Sequence, residues 1–223
     1  IRSIEWIRER DDLGRSFACH VNGQKIFARG ANIIPADFFP VRARERIEET
    51  LQQAVAANMN MVRVWGGAVY GEDAFYDRCD ELGLLVWQDF MFACCMVPGD
   101  SAYAASVEAE ARYNVKRLRH HPSLAIWCGN NESEKAWKSW GWPNLFGLST
   151  QDSIEVQQAY DQIFGALLPQ IVAEESGQFY WASSPMKDPL HELGDSLSGD
   201  EHAWRVWFDT LDFDYYSNHE GRF

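Results

Sequence analysis

Apolar and polar positions along this chain follow two periods that alternate from one segment to the next. Arg2-Ser-Ile-Glu-Trp-Ile-Arg8 repeats every second residue, the pattern of a half-exposed strand. Phe17–Val21 and Lys25–Ala28 flank Asn22-Gly23, and that dipeptide favours the tight turn of a β-hairpin. Ala31–Ile34 is an apolar run stopped by Pro35, and it reads as the first strand of a new unit. A helix follows over Arg44–Asn58, with Ile47, Leu51, Ala54 and Val55 at helical spacing. Met61–Trp65 is a second strand running into Gly66-Gly67. Asp73–Leu82 is a helix with Phe75, Cys79 and Leu82 on one face and Gly83 as its cap. Leu84–Trp87 is a third strand, leading into Gln88-Asp89-Phe90, and Ala102–Arg119 is a long helix ended by His121-Pro122.

Leu124–Cys128 is apolar at every position, as a strand buried on both faces would be, and the chain turns polar at Gly129. Ser149–Glu175 is helical with a break expected near Pro169, and Phe179–Ala182 is a fifth strand. Ala203–Trp207 is expected as a short sixth strand, and Asp209–His219 as a weak helix. Strand-helix alternation implies an α/β fold with a parallel sheet. Each strand ends in polar or glycine-rich residues, which favours a closed (β/α)8 TIM barrel over a doubly wound sheet. Only about six of the eight units are accounted for, so the expectation is a truncated barrel preceded by a short hairpin segment.

Composition narrows the classes. The 223 residues are 46% hydrophobic and 24% charged, as in a globular domain. A formal net charge of -13 argues against a nucleic-acid or anionic-membrane partner, which would need a basic footprint. No apolar run approaches the roughly 20 residues of a membrane span. The chain opens on Ile1 without a signal peptide, and the expectation is a cut inside a longer protein. The five cysteines cannot all pair and show no metal spacing, so free thiols are expected, with a weak bias toward a reducing compartment. Ten Trp, eight Tyr and thirteen Phe include several Trp beside polar loop residues, where an indole could serve as a platform for a ligand.

The candidate chemistry sits at Asn130-Asn131-Glu132, at the C-terminal end of the fourth strand, where barrel enzymes carry catalytic groups. A carboxyl can move a proton there while neighbouring amides fix a polar substrate; the plainer reading is that the tripeptide only starts a helix. His191-Glu192 is not a zinc motif, since Asp195 stands where a second histidine is required. Gly66-Gly67 lacks the lysine and hydroxyl of a phosphate loop. No metal and no cofactor is implied.

An ordered set of motifs then points further. Arg29-Gly-Ala-Asn32, Arg63-Val-Trp-Gly-Gly67, Trp87-Gln-Asp-Phe90, Arg119-His-His-Pro-Ser123 and Ile126–Glu132 resemble glycoside hydrolase family two, and specifically its β-mannosidases. Trp181-Ala-Ser-Ser-Pro185 and Gly199–Trp204 continue the match. The resemblance implies a retaining exo-β-mannosidase acting on terminal β-mannosides by double displacement. Residues 1–23 would close a preceding β-sandwich domain, and 24–223 would form part of the barrel. Glu132 would be the acid/base, and Asn131 would hold the sugar 2-hydroxyl. Trp65 and Trp140 would be aromatic platforms, although Trp137 and Trp142 are close enough to take the second place. Asp89, His202 and Trp204 would be wall residues that bind hydroxyls. The nucleophile is expected just beyond Phe223, past Gly221–Phe223. Glu220 would lie too far away to replace it, so the 223-residue piece alone is expected to be inactive. The alternatives are a related β-galactosidase, β-glucuronidase or exo-glucosaminidase, or a non-catalytic carbohydrate-binding barrel.

Overall fold

The computed structural model describes residues 2–190, 192 and 197–218. Expectations that rest on His191, Asp195, His219, Glu220 and Gly221–Phe223 lie outside the described residues. The chain forms two compact units, one spanning Ala28–Ser183 and the other joining Ser3–Phe27 to the stretch from Ser184 onward.

The N-terminal stretch holds five short strands: β1 (Ile4–Ile7), β2 (Arg10–Asp11), β3 (Gly14–Arg15), β4 (Ala18–Val21) and β5 (Gln24–Ile26). β4 pairs antiparallel with both β1 and β5. The turn between β4 and β5 places Asn22 at φ 51° and Gly23 at φ 77°. Left-handed geometry at both centres is what a two-residue hairpin of this hand requires, and Asn-Gly adopts it with little strain.

The larger unit carries the parallel sheet anticipated from the alternating pattern. β6 (Gly30–Ile33), α1 (Pro40–Glu45), α2 (Ile47–Ala56), β7 (Met61–Val64), α3 (Asp73–Leu82), β8 (Leu85–Asp89), α4 (Ser101–Leu118) and β9 (Leu124–Cys128) follow in order. After β9 come α5 (Ser133–Ser139), α6 (Trp142–Leu145), α7 (Thr150–Tyr160), a π-helical turn over Asp161–Leu167, α8 (Leu168–Glu175) and β10 (Tyr180–Trp181). The sheet order β10-β9-β8-β7-β6 makes every sequential pair of strands a spatial pair, and all four pairings are parallel.

Helix ends follow local chemistry. Gly83 ends α3 at φ 74°, and Asp100 caps α4 by accepting the Tyr103 amide at 2.9 Å. Ser149 and Asp152 form a reciprocal capping box on α7. Leu51, Val64, Phe75, Cys79, Val86, Val115 and Leu118 share one buried cluster between helices and sheet. All five β9 residues are buried, which explains an apolar run without alternation. Truncating a fully buried leucine of this cluster, such as Leu51, would cost roughly 2–5 kcal/mol.

Pro169 does not break its helix. The Leu168 amide reaches back to the Ile163 carbonyl, five residues away, instead of the usual four. In that pattern the next donor would be the amide of residue 169, and proline has none. The Phe164 carbonyl is left over, and the Tyr180 hydroxyl donates to it at 2.7 Å. The disturbance expected at Pro169 thus lies in the turn before it.

The expected sixth strand over Ala203–Trp207 is absent. Trp204 precedes a short helix, α9 (Arg205–Phe208), and meets Phe208 edge-to-face at 5.4 Å. That is i,i+4 spacing, and in so short an aromatic run the two periods cannot be told apart. The strand in this region is β11 (Leu197–Ser198), parallel to β3. It passes so close to Gly14 that a Cβ there would lie 2.0 Å from the Leu197 carbonyl oxygen. The last described helix is α10 (Asp214–Asn218), shorter than the sequence pattern proposed.

Candidate active site

The segments after β7, β8 and β9 gather polar groups at the C-terminal edge of the parallel sheet. Asn130, Asn131 and Glu132 follow β9 directly and are 0%, 4% and 8% exposed. Asn131 continues the sheet locally. It bridges Ala93, its amide bonds to the Phe92 carbonyl at 2.9 Å, and its carbonyl accepts from Cys94 N at 2.8 Å. Its side-chain Nδ2 donates to Glu132 Oε2 at 3.2 Å.

Glu132 stands at φ 61°, ψ 1°, in the left-handed region. For a residue with a Cβ such a conformation costs on the order of 1–3 kcal/mol and persists only where its surroundings impose it. The Glu132 carbonyl already accepts the Ala136 amide, so the residue serves both as turn and as helix start. The plain reading of Asn-Asn-Glu as a helix N-terminus is therefore correct as local structure. It does not account for a buried carboxylate with a neighbouring amide turned onto it.

Asp89 departs from the expectation of a hydroxyl-binding wall residue. It is fully buried and both its oxygens are engaged. Oδ1 accepts Arg63 Nε at 3.1 Å and Trp87 Nε1 at 2.9 Å, while Oδ2 accepts Arg63 Nη2 at 2.8 Å and Gly66 N at 3.0 Å. Burial pushes the Asp89 pKa upward, and the charge and hydrogen bonds of Arg63, with the donors from Gly66 and Trp87, oppose that. A proton on either oxygen would meet another donor, so the carboxyl is ionised. Its task is to hold Arg63, whose Nη2 also donates to Asn131 Oδ1 at 3.1 Å. A line of contacts thus runs from Asp89 through Arg63 and Asn131 to Glu132. Bonding Oδ1 to Arg63 fixes which end of the Asn131 amide faces the carboxylate.

Sequence reasoning passed over Arg63 and Cys94. Arg63 did leave a signal, since a cation inside the apolar run Met61–Val64 requires a buried partner. Cys94 left none. Its Sγ donates to Glu132 Oε2 at 3.5 Å and lies 3.8 Å from Asn131 Nδ2. Cys94 keeps an exposed surface, yet partial desolvation, followed by the negative charge of Glu132, pushes its thiol up to about 11.

Trp65 follows β7, and its ring lies over Gly67, where a Cβ would fall 2.1 Å from the indole. It borders an apolar groove of about 560 Å3 with Ile34, Phe38, Val69 and Phe75, and neither Asn131 nor Glu132 lines that groove. Trp140 caps the end of α5, 46% exposed, and meets Trp142 edge-to-face at 6.4 Å. His202 and Trp204 belong to the smaller unit and do not end a strand. There the Ser184 hydroxyl donates to Asp200 Oδ2 at 2.6 Å and lies 3.2 Å from His202 Nε2.

Among the described residues, three potential metal ligands converge at Asp77, Asp80 and His121. His121 is buried and its Nδ1 pairs with Asp80 at 2.7 Å, tying α3 to the turn before β9. No helix among the described residues is long and apolar enough to cross a membrane.

No known family profile matches the sequence. Over its whole length the chain is 40% identical to Beta-mannosidase B of Aspergillus fumigatus and covers 27% of that protein. The crystal structure of a beta-D-mannosidase from Dictyoglomus thermophilum superposes on the entire chain with a TM-score of 0.86 at 39% identity, over 26% of its own chain. A beta-glucuronidase of Bacteroides uniformis matches 80% of the chain with a TM-score of 0.60 at 22% identity, a likeness of fold alone. The chain spans about a quarter of the length of the relatives it matches.

Proposed function

We propose, for a chain related along its whole length to the β-mannosidases, that it carries the acid/base half of a retaining exo-β-mannosidase of glycoside hydrolase family two. The substrate is a terminal, non-reducing β-mannoside. The observation that carries this reading is the buried Asn131–Glu132 pair, amide on carboxylate at 3.2 Å, at the C-terminal edge of the parallel sheet. In this reading the five parallel strands belong to a (β/α)8 barrel, and residues 1–23 are the end of a preceding β-sandwich domain.

Two carboxyl groups about 5–5.5 Å apart define a retaining site. Glu132 protonates the leaving oxygen and later takes a proton from water. Asn131 holds the 2-hydroxyl, a bond that strengthens as the oxocarbenium ion forms. Asp89 is not the nucleophile, because both its oxygens are held by donors of the protein. That carboxylate is supplied from outside this segment, as the family resemblance implies. Trp65 and Trp140 give the sugar apolar faces.

The test is Glu132→Gln in the full-length enzyme, assayed on aryl β-mannosides of graded leaving-group ability. Acid catalysis contributes about 10²–10⁴-fold, and the loss should be largest for the poorest leaving groups. Equal losses across the series would remove Glu132 from this role. Faster turnover of aryl β-galactosides or β-glucuronides by the parent enzyme would shift the substrate class. Binding of mannosides without turnover would favour the non-catalytic reading.

A further inference from the structure

Asn130 stands beside the proposed site without touching substrate in that reading, yet both ends of its side-chain amide are engaged. It is fully buried. Its Oδ1 accepts the Ser133 amide at 3.0 Å and the Ser183 hydroxyl at 2.7 Å. Its Nδ2 donates to the Ala182 carbonyl at 2.9 Å, with the Tyr160 hydroxyl 3.4 Å away. One carboxamide thereby ties the residue before Glu132's neighbour to the first residue of α5, to the two residues that follow β10 and to the last residue of α7.

Glu132 lies inside the span that this amide closes. The bond from Ser133 N to Asn130 Oδ1 encloses residues 131 and 132, and within it Glu132 is held left-handed. Glycine would take that conformation readily; a glutamate needs enforcement. The backbone just before is fixed in the same direction. A Cβ on Gly129 would lie 2.4 Å from both the Ala182 carbonyl oxygen and the Tyr180 hydroxyl, so β9 leaves the sheet in close contact with β10. Tyr180 is in turn anchored on the π-helical turn through the Phe164 carbonyl. Irregular helical turns of this type often accompany functional sites.

We infer that Asn130 is a positioning residue for Glu132: its side-chain amide, braced by Ser183 and the Ala182 carbonyl, holds the left-handed turn that aims the Glu132 carboxyl at the leaving oxygen. This rests on the acid/base reading of Glu132. Without the amide, Glu132 can relax toward ordinary backbone geometry and its carboxyl moves away from the reacting oxygen. A displacement of about 1 Å can cost on the order of 100-fold.

The experiment compares Asn130→Ala, Ser183→Ala and Glu132→Gln in the full-length enzyme. It measures kcat/KM for aryl β-mannosides over a range of leaving-group pKa, with circular dichroism to verify folding. Asn130→Ala should steepen the leaving-group dependence, losing ~10–100-fold on the poorest leaving group and under about threefold on the best. Ser183→Ala, which removes one donor to the same Oδ1, should steepen it in the same direction by less. A uniform loss across the series in Asn130→Ala, or a lower melting temperature with an unchanged slope, makes Asn130 a structural residue and overturns the inference. Should Asn130→Ala fail to fold, an unchanged slope in Ser183→Ala overturns it equally. A flat response in Glu132→Gln would instead sink the acid/base reading itself, and so separates the two failures.

Discussion

Replacing Asp89 by alanine tests the contact line behind the proposed acid. The carboxylate is wholly buried, whereas the Arg63 side chain is 13% exposed, so the pair is poorly screened by solvent. Alanine would strand the guanidinium and also leave Gly66 N and Trp87 Nε1 without their acceptor. Removing one member of a buried pair typically costs about 3–5 kcal/mol. At about 2–4 °C per kcal/mol for a domain of this size, the melting temperature should fall by roughly 6–20 °C. Replacing Arg63 by methionine alone should cost a similar amount, because it leaves the carboxylate buried and unpaired. The double substitution should cost little more than either single one, as an apolar pair removes both stranded charges. Calorimetric melting of the three variants beside the wild type measures this. An Asp89→Ala melting temperature within 2 °C of wild type (~1 kcal/mol or less), or a double variant that loses the sum of the singles, would refute it.

Further expectations are simpler. Trp140→Ala should leave stability within about 0.5 kcal/mol, because nearly half the residue is exposed, yet weaken binding of a mannose-like inhibitor; unchanged affinity by titration calorimetry would remove it as a platform. Trp65→Ala should weaken the same binding, and a fall in melting temperature without loss of affinity would return Trp65 to a packing role. Cys94 should resist iodoacetamide at neutral pH, with its labelling rate rising about tenfold per pH unit toward its pKa of about 11. A plateau near the ordinary thiol range, read by peptide mass spectrometry, would contradict the combined effect of desolvation and the Glu132 charge.

The sequence pattern announced most of the parallel sheet because each signal was local. Gly83 ends α3 where the pattern placed it, Asn22-Gly23 turns the hairpin, and Leu124–Cys128 is the buried strand its lack of alternation indicated. What stayed hidden depends on distant partners. Asp89 carried the right residue type in the right place for a wall group, but Arg63 and Gly66, 26 and 23 residues away, take up its oxygens. Nothing near Cys94 in the chain points to a carboxylate 38 residues on. Ala203–Trp207 failed for another reason: a run of a few aromatic residues satisfies both periods, and only the packing of Trp204 on Phe208 distinguishes them.

The π-helical turn also constrains which substitutions can follow one another. Phe164's carbonyl depends on the Tyr180 hydroxyl because Pro169 offers no amide. Tyr180→Phe by itself would leave that acceptor unmet, at about 1–3 kcal/mol. A chain that first exchanged Pro169 for alanine would regain an amide at the position from which the π pattern donates, and the hydroxyl would become dispensable. The two sites are therefore coupled in order: the tyrosine is dispensable once the proline has gone, whereas losing the tyrosine first strands the Phe164 carbonyl.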